Sequence, residues 1–419
     1  MSGTALPSLV STVPGPKSHA WVDRLSQVEC PAITARRARR AVQIGATDTD
    51  PVVWSEAVGQ NVTDVDGNVF VDLTAGFGVA AVGHRNPTVI AAVKAQCEVL
   101  VHAMGDAFPD PRRIELMEAL ARRTGLARVI LGSSGSDAID AAVKTAVVAT
   151  GRHRIIAFDG GYHGLAFGPL ATLGYLGHTM RQPFQRLLGT HVTWAPFGGV
   201  LPDASTLSEV AAVLVEPIQG RGGMREPPDG WLVQLHAAAQ AAGALVIHDE
   251  IYSGCGRTGR FLASELQPDL LCLGKALGGG FPVSACLGTA AAMDAWGAST
   301  GAAIHTQTFL GHPVGCAAAL ATLGELDRLT PIAATTGAVL AAALRQVPGV
   351  SKVTGRGMML GVHVKGALQV THDLLDRGYI VLPCGERAEA LGLTPPYGLT
   401  AAQAQGFVAA LADVLQWQR

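Results

Sequence analysis

The sequence predicts an α/β fold: a large domain on a mostly parallel central sheet, with a smaller α+β domain drawn from the two chain ends. Three observations support it. From Arg128 onward, short apolar runs alternate with helical runs, as in a parallel sheet covered by helices on both faces. Near Leu326 that alternation stops, and a helix leads into a different set of strands. Well before the alternating region, Val52–Leu73 reads as strands joined at Asp66-Gly67, a hairpin signal.

Taken in order, Met1 to Pro16 holds Pro, Gly, Ser and Thr without periodicity and reads as a mobile arm over residues 1–16. Residues 17–75 form an N-terminal segment expected to pack with the small domain. The large domain is expected over 76–325. It opens with amphipathic helices at Thr88–Leu100 and Pro111–Thr124. Strands follow near Val129–Leu131, Ile155–Phe158, Ala211–Val215, Leu245–Ile247, Leu270–Leu273 and Ser284–Leu287. The small domain, 326–419, begins with a helix through Leu344. It continues with strands near Gly355–Val364 and Ile380–Leu382 and ends in a helix over about Ala401–Gln416.

With 48% hydrophobic and 15% charged residues, the chain of 419 residues can bury a large core and has the makeup of a folded protein rather than a disordered one. A net charge of −2 gives no electrostatic footprint for nucleic acid or an anionic membrane. No apolar stretch is long enough to span a bilayer, and no basic segment followed by an apolar core marks a signal peptide. Seven scattered cysteines without Cys-x-x-Cys spacing point to reduced thiols and a cytoplasmic location. No His/Glu spacing matches a zinc signature, so no metal is expected.

The chemistry centres on Lys275. It follows the apolar run Leu270–Leu273 and precedes Gly278-Gly-Gly280. A lysine at the tip of a core strand either snorkels to solvent or has a task as an amine, such as forming a Schiff base with an aldehyde cofactor. A Walker loop is excluded, because Asp269 and Ala276 stand where Gly and Ser or Thr would be required. A second apolar strand ends in Asp249, twenty-six residues before Lys275, so both side chains can emerge at one sheet edge, where open α/β sheets bind ligands. Pyridoxal phosphate needs such a pair: a lysine for its aldehyde and a carboxylate to keep its ring nitrogen protonated.

From about Pro51 the chain resembles the class III (omega-type) aminotransferases of pyridoxal phosphate fold type I. The landmarks stand in family order: Asp64-Val-Asp-Gly-Asn-Val-Phe-Val-Asp72, Gly83-His-Arg-Asn-Pro87, Ser133-Ser-Gly-Ser-Asp-Ala138, Gly161-Tyr-His-Gly164, Glu216-Pro-Ile-Gln-Gly220, Asp249-Glu-Ile with Gly256-Arg-Thr-Gly259, Gly274-Lys-Ala-Leu-Gly-Gly-Gly280 and Thr308-Phe-Leu-Gly-His-Pro313. The resemblance implies ping-pong transamination between an amine or amino acid and a keto acid or aldehyde, with Lys275 as Schiff-base and proton-transfer residue. It implies that Gly135 and Ser136 hold the cofactor phosphate, that Tyr162 stacks on the ring, and that Ile251 covers the opposite face. Gln219 would bond near the ring hydroxyl, and Glu216 would be a structural partner. Thr308 would reach the phosphate of a neighbouring subunit, which implies a homodimer or a dimer-based tetramer. His312 replaces the usual Asn of Gly-Asn-Pro and is expected to be a tolerated change.

Departures bear on the substrate. Many members carry Arg in Arg-x-x-Pro-Pro near the C-terminus to grip a carboxylate, and here that position is Gly392. Leu165 follows Tyr-His-Gly where omega-amino-acid enzymes often have Arg. Arg221 follows Gln-Gly where Glu is common. Arg221 either grips a substrate carboxylate from the other side, points to solvent, or pairs with Glu216. The alternative activity on the same fold is racemisation or epimerisation. A non-catalytic regulatory protein is a third reading, disfavoured by the intact Lys275, Asp249 and Gln219.

Overall fold

The computed structural model describes residues 3–33, 50–298 and 303–417. Its first sheet is built from β1 (Trp54–Val58), β2 (Asn61–Asp64) and β3 (Val69–Asp72), joined antiparallel. The expected Asp66-Gly67 turn sits between β2 and β3. Gly67 there has φ +97°, and the Asp64 carboxylate accepts from the backbone N–H groups of Asp66 and Asn68. Across β3, Tyr379–Ile380 from the far end of the chain pairs in parallel with Val71 and Asp72.

The large sheet comprises β4 (Arg128–Gly132), β5 (Arg154–Phe158), β6 (Val192–Ala195), β7 (Val210–Val215), β8 (Leu245–Asp249), β9 (Leu270–Leu273) and β10 (Ser284–Gly288). Their order is β4-β10-β9-β8-β7-β5-β6. β10 runs antiparallel to β4 and β9, while the remaining pairings are parallel. Successive residues serve opposite faces. Ile155, Ala212 and Ile247 pack with the Gly135–Thr150 helix, whereas Ile156, Val213 and Val246 pack with the Trp231–Ala241 helix. A sheet covered on both sides needs apolar residues at every position, hence the unbroken apolar runs. Each side chain of this size shut away from water contributes about 1.5–3 kcal/mol.

A third, antiparallel sheet holds β11 (Val350–Arg356), β12 (Met359–Val364), β14 (Leu382–Cys384) and β15 (Ala390–Leu393), in the order β11-β12-β15-β14. The Tyr379–Ile380 strand, β13, precedes β14 and belongs to the first sheet. No helix among the described residues is long and apolar enough to cross a membrane.

Three expectations change. The change of character near Leu326 falls inside a continuous helix, Pro313–Arg345, rather than at its start. The first two turns of that helix are buried almost all round, through Val314, Gly315, Cys316, Ala317, Ala318 and Ala319, so they show no polar face to betray its period. The arm expected to be mobile is pinned over its described part. Ala5 N–H donates to Asn61, Val10 and Ser11 N–H donate to Asn68, and Ser8 forms a bridge with Val69. The partners that hold it, Asn61 and Asn68, are fully buried side chains far along the chain, which composition cannot reveal. Two strands also went unforeseen: β6, which is only partly buried, and β15, which contains Gly392.

Candidate active site

The strand ends β4, β5, β7, β8 and β9 lead into the segments that carry the sequence landmarks. β8 closes on Asp249, which is buried. Its Oδ2 lies 2.7 Å from His163 Nδ1, and its Oδ1 accepts from Ile251 N–H at 3.0 Å. A buried carboxylate needs such partners, because desolvation without them costs several kcal/mol, on the order of the penalty for any unpaired buried ion. The other ring nitrogen of His163, Nε2, is buried and has no partner.

Asp249 pairs with Cys272 in the neighbouring strand, so Lys275 stands just beyond that register point on the same edge. Lys275 takes a left-handed backbone, φ +41°, and starts a short 3-10 turn. Left-handed backbone is costly for a side chain with a Cβ, and such strain collects at functional positions. The amine lies 4.2 Å from the ring centroid of Tyr252. Burial holds the Lys275 amine below the usual lysine range. The charges of Asp249 and Glu216 act against that, and those of Arg221 and Arg257 add to it.

Ser134 caps the Gly135–Thr150 helix in a reciprocal capping box with Asp137. Gly135 and Ser136 occupy its first turn, where backbone N–H groups favour an anion. The Ile251 side chain packs against Gly135 and Gly274, leaving no room for a Cβ at Gly135 without contact near 3.0 Å. Gly164 has φ +115°, and a Cβ there would come within 2.2 Å of Ser136 Oγ.

Tyr162 N–H donates to Glu216 at 2.7 Å, and Gly220 N–H donates to the other carboxylate oxygen at 2.9 Å. Burial pushes the Glu216 carboxyl up to about 7, with His163 lowering it and Asp249 raising it.

A strand-end lysine, a carboxylate paired with a histidine and a helix N-terminus thus stand at one edge of the large sheet. Residues 44–415 match the model of the class-III aminotransferases. The chain belongs to that family. It is 36% identical over 394 residues to the acetylornithine aminotransferase of Mycolicibacterium smegmatis, covering 91% of this chain and 98% of that one. To the Methanosarcina acetivorans acetylornithine aminotransferase it is 34% identical over 376 residues, covering 87% and 91%. Among solved structures, ornithine aminotransferase from Toxoplasma gondii superposes with a TM-score of 0.81 at 28% identity, covering 95% and 97% of the two chains. A pyridoxal-phosphate-bound amine transaminase from an uncultivated Pseudomonas species gives 0.79 at 28%, covering 87% and 95%.

The protein is therefore a pyridoxal-phosphate-dependent aminotransferase of fold type I. Nothing in these relatives supports racemisation as its activity. The residues fit the cofactor: an amine without a hydrogen-bond partner among the described residues, a buried carboxylate, the unpartnered His163 Nε2 and a helix start with Gly135 and Ser136.

Four of the residues singled out in the sequence have surroundings that bear on their expected roles in the aminotransferase. The Gln219 amide donates to Asp159 O at 2.8 Å, and its oxygen accepts twice from Arg225. It can reach a ring hydroxyl only with its one remaining N–H. Thr308 is exposed, and among the described residues no hydrogen bond or ion pair joins it to Lys275 or Asp249. Arg221 forms no ion pair among the described residues. Glu216 is already satisfied by backbone N–H groups, and the Arg221 guanidinium lies instead 5.3 Å from the Tyr175 ring centroid and 5.7 Å from that of Tyr162. At Gly392, a Cβ would touch Met224 Cε and Cys384 Sγ at 3.2 and 3.3 Å, so buried apolar side chains fill the place beside it.

Sequence reasoning missed two residues. His163 stands out in the sequence only as a flank of Tyr162, although a histidine directly after the aromatic expected to stack was a usable signal. Tyr252 lies three residues beyond Asp249, and nothing in the sequence foretold its place against Lys275. The His248 ring, next to Asp249, faces His236 across 2.7 Å and is pushed down to about 3 by burial, then by His236. Among the described residues no group of His, Cys, Asp and Glu is placed to hold a metal.

Proposed function

We propose that this aminotransferase moves an amino group between an amino acid or amine and a keto acid or aldehyde in two half-reactions, with Lys275 as the cofactor lysine and proton carrier. When bound, pyridoxal phosphate supplies an aldehyde that condenses with amines and a ring that draws off electron pairs. The observation that carries the residue roles is the convergence of the Lys275 amine and the His163-paired Asp249 carboxylate at the ends of adjacent strands. Asp249 would keep the ring nitrogen protonated, and His163 holds Asp249 in place. Gly135 and Ser136 bind the phosphate. Tyr162 and Ile251 bound the ring's two faces, and Glu216 fixes the backbone of Tyr162. Once an incoming amine has taken its place, Lys275 is free to carry the proton from the substrate carbon as general base and return it as general acid.

Arg221 is the anchor for a substrate carboxylate. Its cation has no acidic partner among the described residues, lies beside the Tyr162 and Tyr175 rings, and acts electrostatically on Lys275. The position that holds the common carboxylate grip is Gly392, walled by Met224 and Cys384.

The working unit is a homodimer or a dimer-based tetramer, with Thr308 completing the phosphate site of a neighbouring copy. Its exposure, and that of Phe77, Met104, Phe108 and Phe309, supports this. The seven free cysteines accord with the cytoplasm. The decisive experiment is borohydride reduction of the holoenzyme followed by peptide mapping. The cofactor is expected on Lys275, and Lys275→Ala should lose both the adduct and turnover. A reducible adduct at normal yield in Lys275→Ala would overturn the assignment. A half-reaction screen of amines, read by the cofactor's absorbance change, then identifies the donor.

A further inference from the structure

We propose that the face of the Tyr252 ring is the seat of the free Lys275 amine, which makes Tyr252 a positioning residue for the proton-transfer step. The proposal rests on Lys275 being the cofactor lysine.

The geometry begins with the amine. Among the described residues, Lys275 Nζ makes no hydrogen bond and no ion pair. Its direct partner is the π face of Tyr252, 4.2 Å away at the ring centroid. A cation over an aromatic face is attracted by the ring quadrupole, and most strongly where water is excluded.

The ring itself cannot move aside easily. A Cβ on Gly78 would fall 2.5 Å from Tyr252 Cε2, and one on Gly220 would fall 2.2 Å from Cδ1, so two backbone segments clamp it. The far end is tied as well. Thr394 Oγ1 donates to Thr74 O at 3.0 Å, so the 3.2 Å bond between Tyr252 and Thr394 must use the phenol proton. Burial also pushes the Tyr252 phenol up, which keeps the ring neutral. A neutral, clamped ring with its face toward the amine is suited to holding one position for a group that must swing away and return.

The charged groups around Lys275 come from several elements. Asp249 ends β8, Glu216 follows β7, and both favour an ammonium. Arg221 and Arg257 oppose it. These act at a distance, while Tyr252 is in contact. The ring should therefore stabilise the protonated amine beyond what the field of the four charges does, and so set the pH at which Lys275 changes from proton donor to acceptor.

Progressive ring fluorination tests this without changing size. Tyr252 is replaced in the full-length holoenzyme by Phe, then by difluoro- and trifluorophenylalanine. In the form with aminated cofactor Lys275 is a free amine, and its titration is read by competitive acetylation with acetic anhydride and peptide mass spectrometry across pH. The single-turnover pH profile is recorded in parallel. Phe should leave the midpoint within about 0.3 pH unit of the parent protein, and trifluorination should lower it by about 0.4–1.5 units in both readouts. An unchanged midpoint through the fluorinated series, or a shift already complete with Phe, would overturn the proposal. Borohydride mapping of each sample keeps the two ideas apart. An adduct on a different lysine refutes the underlying assignment, whereas an adduct on Lys275 with no shift refutes only the role of Tyr252.

Discussion

His163 Nδ1 stands 2.7 Å from Asp249 Oδ2, with both side chains shut away from solvent. This bond makes the aspartate half of a buried pair rather than a lone carboxylate at a strand end. A charge-assisted bond of this kind is worth about 1.5–3 kcal/mol. His163→Phe should retain cofactor and slow the half-reaction by about 10- to 150-fold, the rate equivalent of that energy. Asp249→Asn should also bind cofactor and lose at least as much. In the double variant the two losses should overlap, because the residues act as one unit. Stopped-flow single turnovers of the four proteins measure this. Additive losses would show that His163 acts independently of Asp249.

Arg221→Ala should raise the Michaelis constant for keto-acid acceptors by about 10- to 150-fold, with little change for amines and aldehydes that lack a carboxylate. The contrast between substrate types is the readout. Equal effects on both would mark Arg221 as structural.

His312 and Asn86 each precede a proline at a helix start, with nearly the same backbone, φ −52° and ψ 124° against φ −52° and ψ 126°. Asn86 accepts from Thr88 and Val89 N–H, whereas His312 caps nothing. His312→Asn should therefore restore a cap and stabilise the protein by about 0.5–2 kcal/mol. Denaturant unfolding gives the value. A loss of stability would mean that the stacking of His312 on His102, at 5.9 Å, outweighs the missing bond.

Glu250 sets a pH dependence. Burial pushes its carboxyl from 4.5 up to about 7, against the pull of backbone N–H donors at Ala263 and Ser264. A raised carboxyl means that the folded state holds a proton the unfolded state has released. This contribution to stability is full below about pH 4.5 and is lost as pH rises through about 7. Glu250→Gln should lower stability overall, since one acceptor is lost, and flatten the decline across that window. Thermal melts at half-unit pH steps would show an unaltered slope if Glu250 were not responsible.

What the sequence disclosed and what it hid follow from the kind of information each residue carries. Lys275 and Asp249 were legible because a charged residue at the end of an apolar run conflicts with its surroundings, and both lie in ordered landmarks. The helices that begin at Pro87 and Pro111 were legible from their amphipathic periodicity. The start of the Pro313–Arg345 helix was hidden because burial on all sides erases periodicity. The occupied amide of Gln219 was hidden because Asp159 and Arg225 are brought to it by separate turns. The seat of Lys275 on Tyr252 depends on glycines at 78 and 220, contributed by distant segments, and no local pattern encodes such a convergence.

The pinned arm bears on how the molecule comes into being. Gln403 donates its amide to Ala5 O across 398 positions of chain, and β13 supplies the first sheet with its last strand. During synthesis β3 therefore leaves the ribosome with an open edge, and its partner follows only after all seven strands of the large sheet. For that interval the nascent chain exposes a strand able to pair with another copy of itself. The large sheet can condense earlier, but the hydrogen bonds that tie Thr394 to Thr74 and to Tyr252 wait for the same late residues. The far end of the Tyr252 ring is thus tied only after every strand of the large sheet has been made.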